Sequence, residues 1–75
     1  MEKIQFDYSE LKGRIKAKCD SQKVFAEKLG ITESTLTSKL NGYTYFTPAE
    51  IVKSAEILDI ERVRLSDYFF TVKVG

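Results

Sequence analysis

Apolar positions recur along this chain at helical spacing for most of its length. Only the last residues switch to a run rich in aromatic and β-branched residues. Tyr8, Leu11, Ile15 and Cys19 share one face of a first helix, with Lys12 and Lys16 one turn apart on another. Asp7 is placed to cap this helix, with Glu10 completing a capping box and Phe6 and Leu11 as its staple. Met1 to Phe6 precedes it as a short arm. Ser21 caps a second helix carrying Val24, Phe25, Ala26 and Leu29, which stops at Gly30 because glycine takes a positive φ without steric cost. Thr32 caps a third helix, Glu33 to about Leu40, stapled by Ile31 and Leu36. Its apolar stripe is Leu36 and Leu40. Its outward positions, Glu33, Ser34, Thr37 and Ser38, are polar and mostly short, and Asn41-Gly42 breaks it.

Thr47, Pro48 and Glu50 mark the clearest helix start in the chain: a cap, a proline where no N–H is needed, and a capping box. Phe46 is placed to staple to Ile51. The fourth helix runs to about Leu58, with Ile51, Val52, Ala55 and Leu58 toward the core and Lys53, Glu56 and Asp59 toward water. Ile60 to Asp67 predicts a short helix, although Val63, Leu65 and Tyr68 fit neither period cleanly. Tyr68 to Val74 predicts a strand. A lone strand leaves its backbone groups unmet. Pairing with a second copy would satisfy them, giving a symmetric homodimer through Tyr68, Phe69, Phe70, Val72 and Val74. The alternative is that Phe69 or Phe70 folds back to close the helical core. The expected fold is mainly α: a bundle of four to five short helices over residues 1–67, with a short C-terminal strand over 68–75 in the same domain.

Composition narrows the chemistry. At 75 residues the chain is one domain with a modest core. It contains no histidine, which removes the commonest metal ligand and general base. Cys19 is alone, so it has no internal disulfide partner, and it reads as a core residue rather than a redox-sensing thiol. No paired nucleophile and base, metal-ligand cluster or Gly-rich phosphate loop is present, so an enzyme is not expected, and neither is a cofactor, a metal or a small-molecule substrate. No apolar run reaches membrane-spanning length. Met1 leads into Glu2-Lys3-Ile4-Gln5 rather than an apolar leader, so a cytoplasmic protein is expected. Net charge is only +1, weak support for a polyanionic partner. The small positive bias lies in residues 1–46, with eight Lys/Arg against six Asp/Glu, while 47–75 carries four against five.

Gln22, Ala26, Gly30, Leu36 and Leu40, followed by Asn41-Gly42, resemble the Cro and repressor helix-turn-helix family of phage and bacterial regulators. Phe46-Thr47-Pro48 and Glu50-Ile51 resemble the start of that family's fourth helix. Lys39 departs from the pattern, where many members carry an aliphatic residue.

The resemblance implies a λ-repressor-like fold and a Cro-like transcriptional repressor from a phage or prophage, bound as a homodimer to a double-stranded DNA operator. Residues 33–40 would then enter the major groove. Glu33, Ser34, Thr37 and Ser38 become the base-facing set, with Glu33 able to accept from a cytosine amino group. Gln22 would anchor phosphate, and Lys39, Asn41 and Tyr43 would follow the backbone beside the groove. Lys12 and Lys16 are either a solvated face or further phosphate contacts, and Tyr43 and Tyr45 either loop packing or phosphate donors. The competing expectation is a protein-interaction module on the same fold, an antitoxin or anti-repressor, with weak or no DNA affinity.

Overall fold

The apolar stripe of the first helix is buried along its whole length. In the computed structural model, which describes residues 5–73, α1 spans Ser9–Cys19 and seals Leu11, Ile15 and Cys19. Tyr8 stands at the N-cap position and is buried as well. The expected Asp7/Glu10 capping box is not what closes this end. The helix begins one residue later, and the Asp7 carboxylate accepts the Ser9 N–H and hydroxyl at 2.9 and 2.6 Å. Those two bonds, led by the hydroxyl, hold the Asp7 carboxyl below its ordinary 3.8.

Three further helices follow their predicted limits. α2 is Gln22–Leu29, capped by Ser21, whose hydroxyl accepts the Val24 N–H. It ends at Gly30 with φ 87, where the N–H groups of Gly30 and Ile31 both reach back to the Ala26 carbonyl. α3 is Glu33–Leu40, capped by Thr32 through the Thr35 N–H. α4 is Pro48–Leu58, opened by a complete Thr47/Glu50 capping box. α4 closes at Asp59, which adopts a left-handed conformation with φ 54. From α1, Arg14 donates to the carbonyls of Leu58 and Asp59 at 2.8 and 2.7 Å, satisfying acceptors that a helix C-terminus leaves open.

The face of α4 is shifted from the predicted one. Val52 is exposed, and Ser54 is fully buried in its place. Ile51, Ser54, Ala55 and Leu58 follow i, i+3, i+4, i+7 spacing, so helical geometry puts the serine inward despite its hydroxyl.

The C-terminal region departs most from expectation. A single 3₁₀ turn, Arg62–Arg64, leads into α5, Leu65–Phe69. Tyr68 and Phe69 are therefore helical and buried, not part of a strand. α5 packs on α1 and α4, and the Phe69 ring stacks edge-on against Phe46 with centroids 5.4 Å apart. Burying these rings outweighs their β-propensity. Extended chain returns only at Val72, which bridges antiparallel to Phe6. Asp7 N–H donates to the Thr71 carbonyl at 2.7 Å and Lys73 N–H to the Gln5 carbonyl at 2.8 Å. The tail thus finds its pairing partner inside the chain. Of the five residues expected at a dimer interface, Tyr68 and Phe69 are core, Phe70 and Val72 are exposed, and Val74 lies outside the described residues. The result is a bundle of five short helices, with no sheet among the described residues.

Candidate partner-binding face

α2 and α3 meet through the tight turn at Gly30, and α3 packs chiefly on α2. Leu36 and Leu40 face inward with Phe25, Ala26 and Leu29, which turns the opposite side of α3 to solvent. Glu33, Ser34 and Thr37 are exposed there, and Ser38 is half-buried at the margin. Gln22, at the start of α2, is half-buried. Asn41 and Tyr43, just past α3, are exposed, Tyr43 at 73%. Lys12 and Lys16 are exposed on α1, which packs against α2, α4 and α5.

Lys39 does not join this surface. Its side chain is only 9% exposed, and its ammonium turns inward beneath the loop formed by residues 41–46. Nζ donates to the Tyr45 carbonyl at 3.1 Å and pairs with Glu50 Oε1 at 3.0 Å. It also lies 5.8 Å from the centre of the Phe46 ring. The structure does not place Lys39 outward, as the expected phosphate contact requires: the aliphatic stem fills the space an apolar residue would, and the ammonium pairs with an internal carboxylate. Glu50 serves two partners, because Oε1 also accepts the Thr47 N–H at 2.8 Å. Burial pushes its carboxyl up, but the Thr47 N–H and the Lys39 ammonium outweigh that and hold it below its ordinary value. Lys39 is the only cation within Glu33–Leu40, so the exposed face of α3 carries one charge, that of Glu33.

Beside this corner, Phe6, Tyr8, Tyr45, Phe46, Phe69 and Phe70 line an apolar groove of about 300 Å³. The Phe6 ring meets those of Tyr45 and Phe70 edge-on at 5.8 and 6.0 Å. Burial, and then the neighbouring Tyr45, push the Tyr8 hydroxyl above its ordinary 10.0. Among the described residues none of the groove's lining groups is charged. Among the described residues no group of three or more His, Cys, Asp and Glu side chains could hold a metal ion. Cys19 is buried in the core. Among the described residues no helix is long and apolar enough to cross a membrane.

The family model described as "Protein of unknown function (DUF739)" matches residues 4–72, and the chain belongs to that family. Among solved structures, it is similar to the solution structure of the modulator of repression (MOR) of the temperate bacteriophage TP901-1 from Lactococcus lactis. The two are 37% identical over 93% of this chain and 95% of that one, with a TM-score of 0.79. No curated protein matches. The chain therefore resembles, over nearly its full length, a phage protein described as a modulator of repression.

Two parts of this corner escaped the sequence reading: the inward turn of Lys39 and its pairing with Glu50. Each had a faint signal. Lys39 stands where many members of the resembled helix-turn-helix family carry an aliphatic residue, and Glu50 closes the capping box of the clearest helix start in the chain.

Proposed function

We propose that this protein modulates repression by docking on a repressor protein, using the outward face of α3 and the loop that follows it. The observation that carries this reading is the inward, paired Lys39. A helix that reads DNA works against a dense array of phosphates, and cations supply most of the affinity. Here the one cation of α3 is consumed internally, leaving Glu33, Ser34 and Thr37 outward. Such a surface, acidic and otherwise neutral, complements a basic protein surface better than a polyanion. The name of the similar phage protein, a modulator of repression, agrees with a role exercised on a repressor.

The test is an NMR titration of the isotopically labelled protein with the purified repressor from the same genome. Perturbations concentrated on Glu33, Ser34, Thr37 and Asn41–Tyr43 support the assignment. Perturbations confined to α1 or α5 would move the surface elsewhere.

One observation favours a second reading, operator binding as a helix-turn-helix. α2 and α3 are joined by a tight Gly30 turn, with short polar side chains outward on the second helix and Gln22 opening the first. On this reading Glu33, Ser34, Thr37 and Ser38 face bases, and Gln22, Asn41, Tyr43, Lys12 and Lys16 face phosphates. A homodimer serving it through the C-terminal segment would rest on Phe70 and Val72, since Tyr68 and Phe69 are core.

A further inference from the structure

We infer that Lys39 is a positioning residue for the docking surface: it clasps both ends of the 41–46 loop and sets that loop's shape against α3. The inference rests on the docking reading above. At the start of the loop, the Lys39 carbonyl accepts the Gly42 N–H at 3.2 Å, beside the Tyr43 N–H bonded to the Ser38 carbonyl at 2.9 Å. At the far end, the Lys39 ammonium holds the Tyr45 carbonyl at 3.1 Å. Glu50 fixes the ammonium from the first turn of α4 at 3.0 Å, and Glu50 is itself anchored by the Thr47 N–H. One residue therefore spans the loop, from the last turn of α3 to the cap of α4. Between the two ends, Gly42 takes φ 86, and Tyr43 is carried out to high exposure.

Folding alone gives little reason for a lysine here. Replacing both members of a buried ion pair by apolar side chains of similar volume is often neutral or stabilising. A methionine would fill the stem's space beside Phe46 with no charge to desolvate. It would not donate to the Tyr45 carbonyl or reach Glu50. What the ammonium adds is a defined loop geometry, and a rigid loop binds with less ordering cost than a loose one. α3 packs chiefly on α2, so the clasp also ties the outward face of α3 to the start of α4.

The experiment compares the full chain with Lys39→Met and Glu50→Gln. Three readouts are taken: unfolding in urea, backbone amide order and hydrogen exchange over residues 41–46, and affinity for the purified repressor. Lys39→Met leaves the Glu50 carboxylate without its cation, so it is expected to be less stable than the parent, with a loosened loop and at least tenfold weaker repressor binding. Glu50→Gln keeps an acceptor for the Thr47 N–H but loses the anchoring charge, so its loop order and affinity fall together by a smaller factor. If Lys39→Met does not fold, Glu50→Gln carries the test. Unchanged loop order, or a loosened loop with unchanged affinity, would overturn the inference. A loosened loop in a protein whose parent binds no repressor would uphold the clasp and overturn the docking reading instead.

Discussion

Lys39 and Glu50 meet at 3.0 Å beneath the loop that joins α3 to α4, and the same carboxylate oxygen caps the Thr47 N–H. The pair makes acid stability a local property of this corner. The Glu50 carboxyl sits below its ordinary 4.5, because the Thr47 and Lys39 bonds overcome burial. A depressed carboxyl contributes stability that is fully present above 4.5 and lost as pH falls through its lower folded value. Glu50→Gln cannot titrate, so its urea midpoint should fall less between pH 5 and pH 3 than the parent's. At neutral pH it should cost about 1–3 kcal/mol, the range for leaving a buried donor poorly satisfied. Asp7 is likewise held below its ordinary 3.8 by its Ser9 bonds, so part of the slope should remain.

Ser54 is fully buried, and its hydroxyl has no hydrogen-bond partner among the described residues. Alanine would remove the desolvated oxygen and is a better helix former. Ser54→Ala should stabilise the protein by about 0.5–1.5 kcal/mol, read as a higher thermal midpoint with an unchanged amide spectrum outside α4.

Arg14 and Lys18 both reach the end of α4 from α1, with different consequences. The Arg14 guanidinium makes two short bonds to backbone carbonyls, whereas Lys18 stands 3.9 Å from a largely exposed Asp59 carboxylate. Arg14→Ala should cost about 1.5–3 kcal/mol, as charge-assisted bonds do. Lys18→Ala should cost no more than ~0.5 kcal/mol, since exposed pairs contribute little. Chemical denaturation of the two variants side by side checks the ranking.

Truncation before Tyr68 should abolish folding rather than release a monomer. It would remove Phe69, 2% exposed, together with the buried Tyr68. Loss of a large buried aromatic costs about 3–5 kcal/mol by itself, a large part of a small domain's stability. Circular dichroism of residues 1–67 should show a largely disordered chain. Val72→Asp, at an exposed position, should leave the helices intact.

Much of this fold was legible because its helices announce their own ends. Ser21, Thr32 and Thr47 cap where expected, and Gly30 stops α2 where a positive φ is needed. The outward face of α3 was legible for the same reason: Leu36 and Leu40 choose the buried side, and the rest follows from geometry. Three features were not. Val52 and Ser54 exchange places because residue type favours valine inward while helical spacing puts the serine there. Tyr68 and Phe69 read as strand because local propensity carries no information about the gap they fill beside Phe46. Lys39 read as outward because its charge hides an aliphatic stem, and its partner lies across a loop that no periodicity spans. The third matters most, since the docking reading rests on it.

The most direct test of the docking account sets the two candidate partners against each other. The purified protein is titrated by calorimetry with the repressor from the same genome, and in parallel used to select from random duplex DNA. The account predicts a saturable complex with the repressor, weakened by Glu33→Lys and Thr37→Arg, and no duplex enriched above background. Recovery of a defined duplex bound with steep salt dependence, alongside no heat with the repressor, would contradict it and return the face of α3 to DNA.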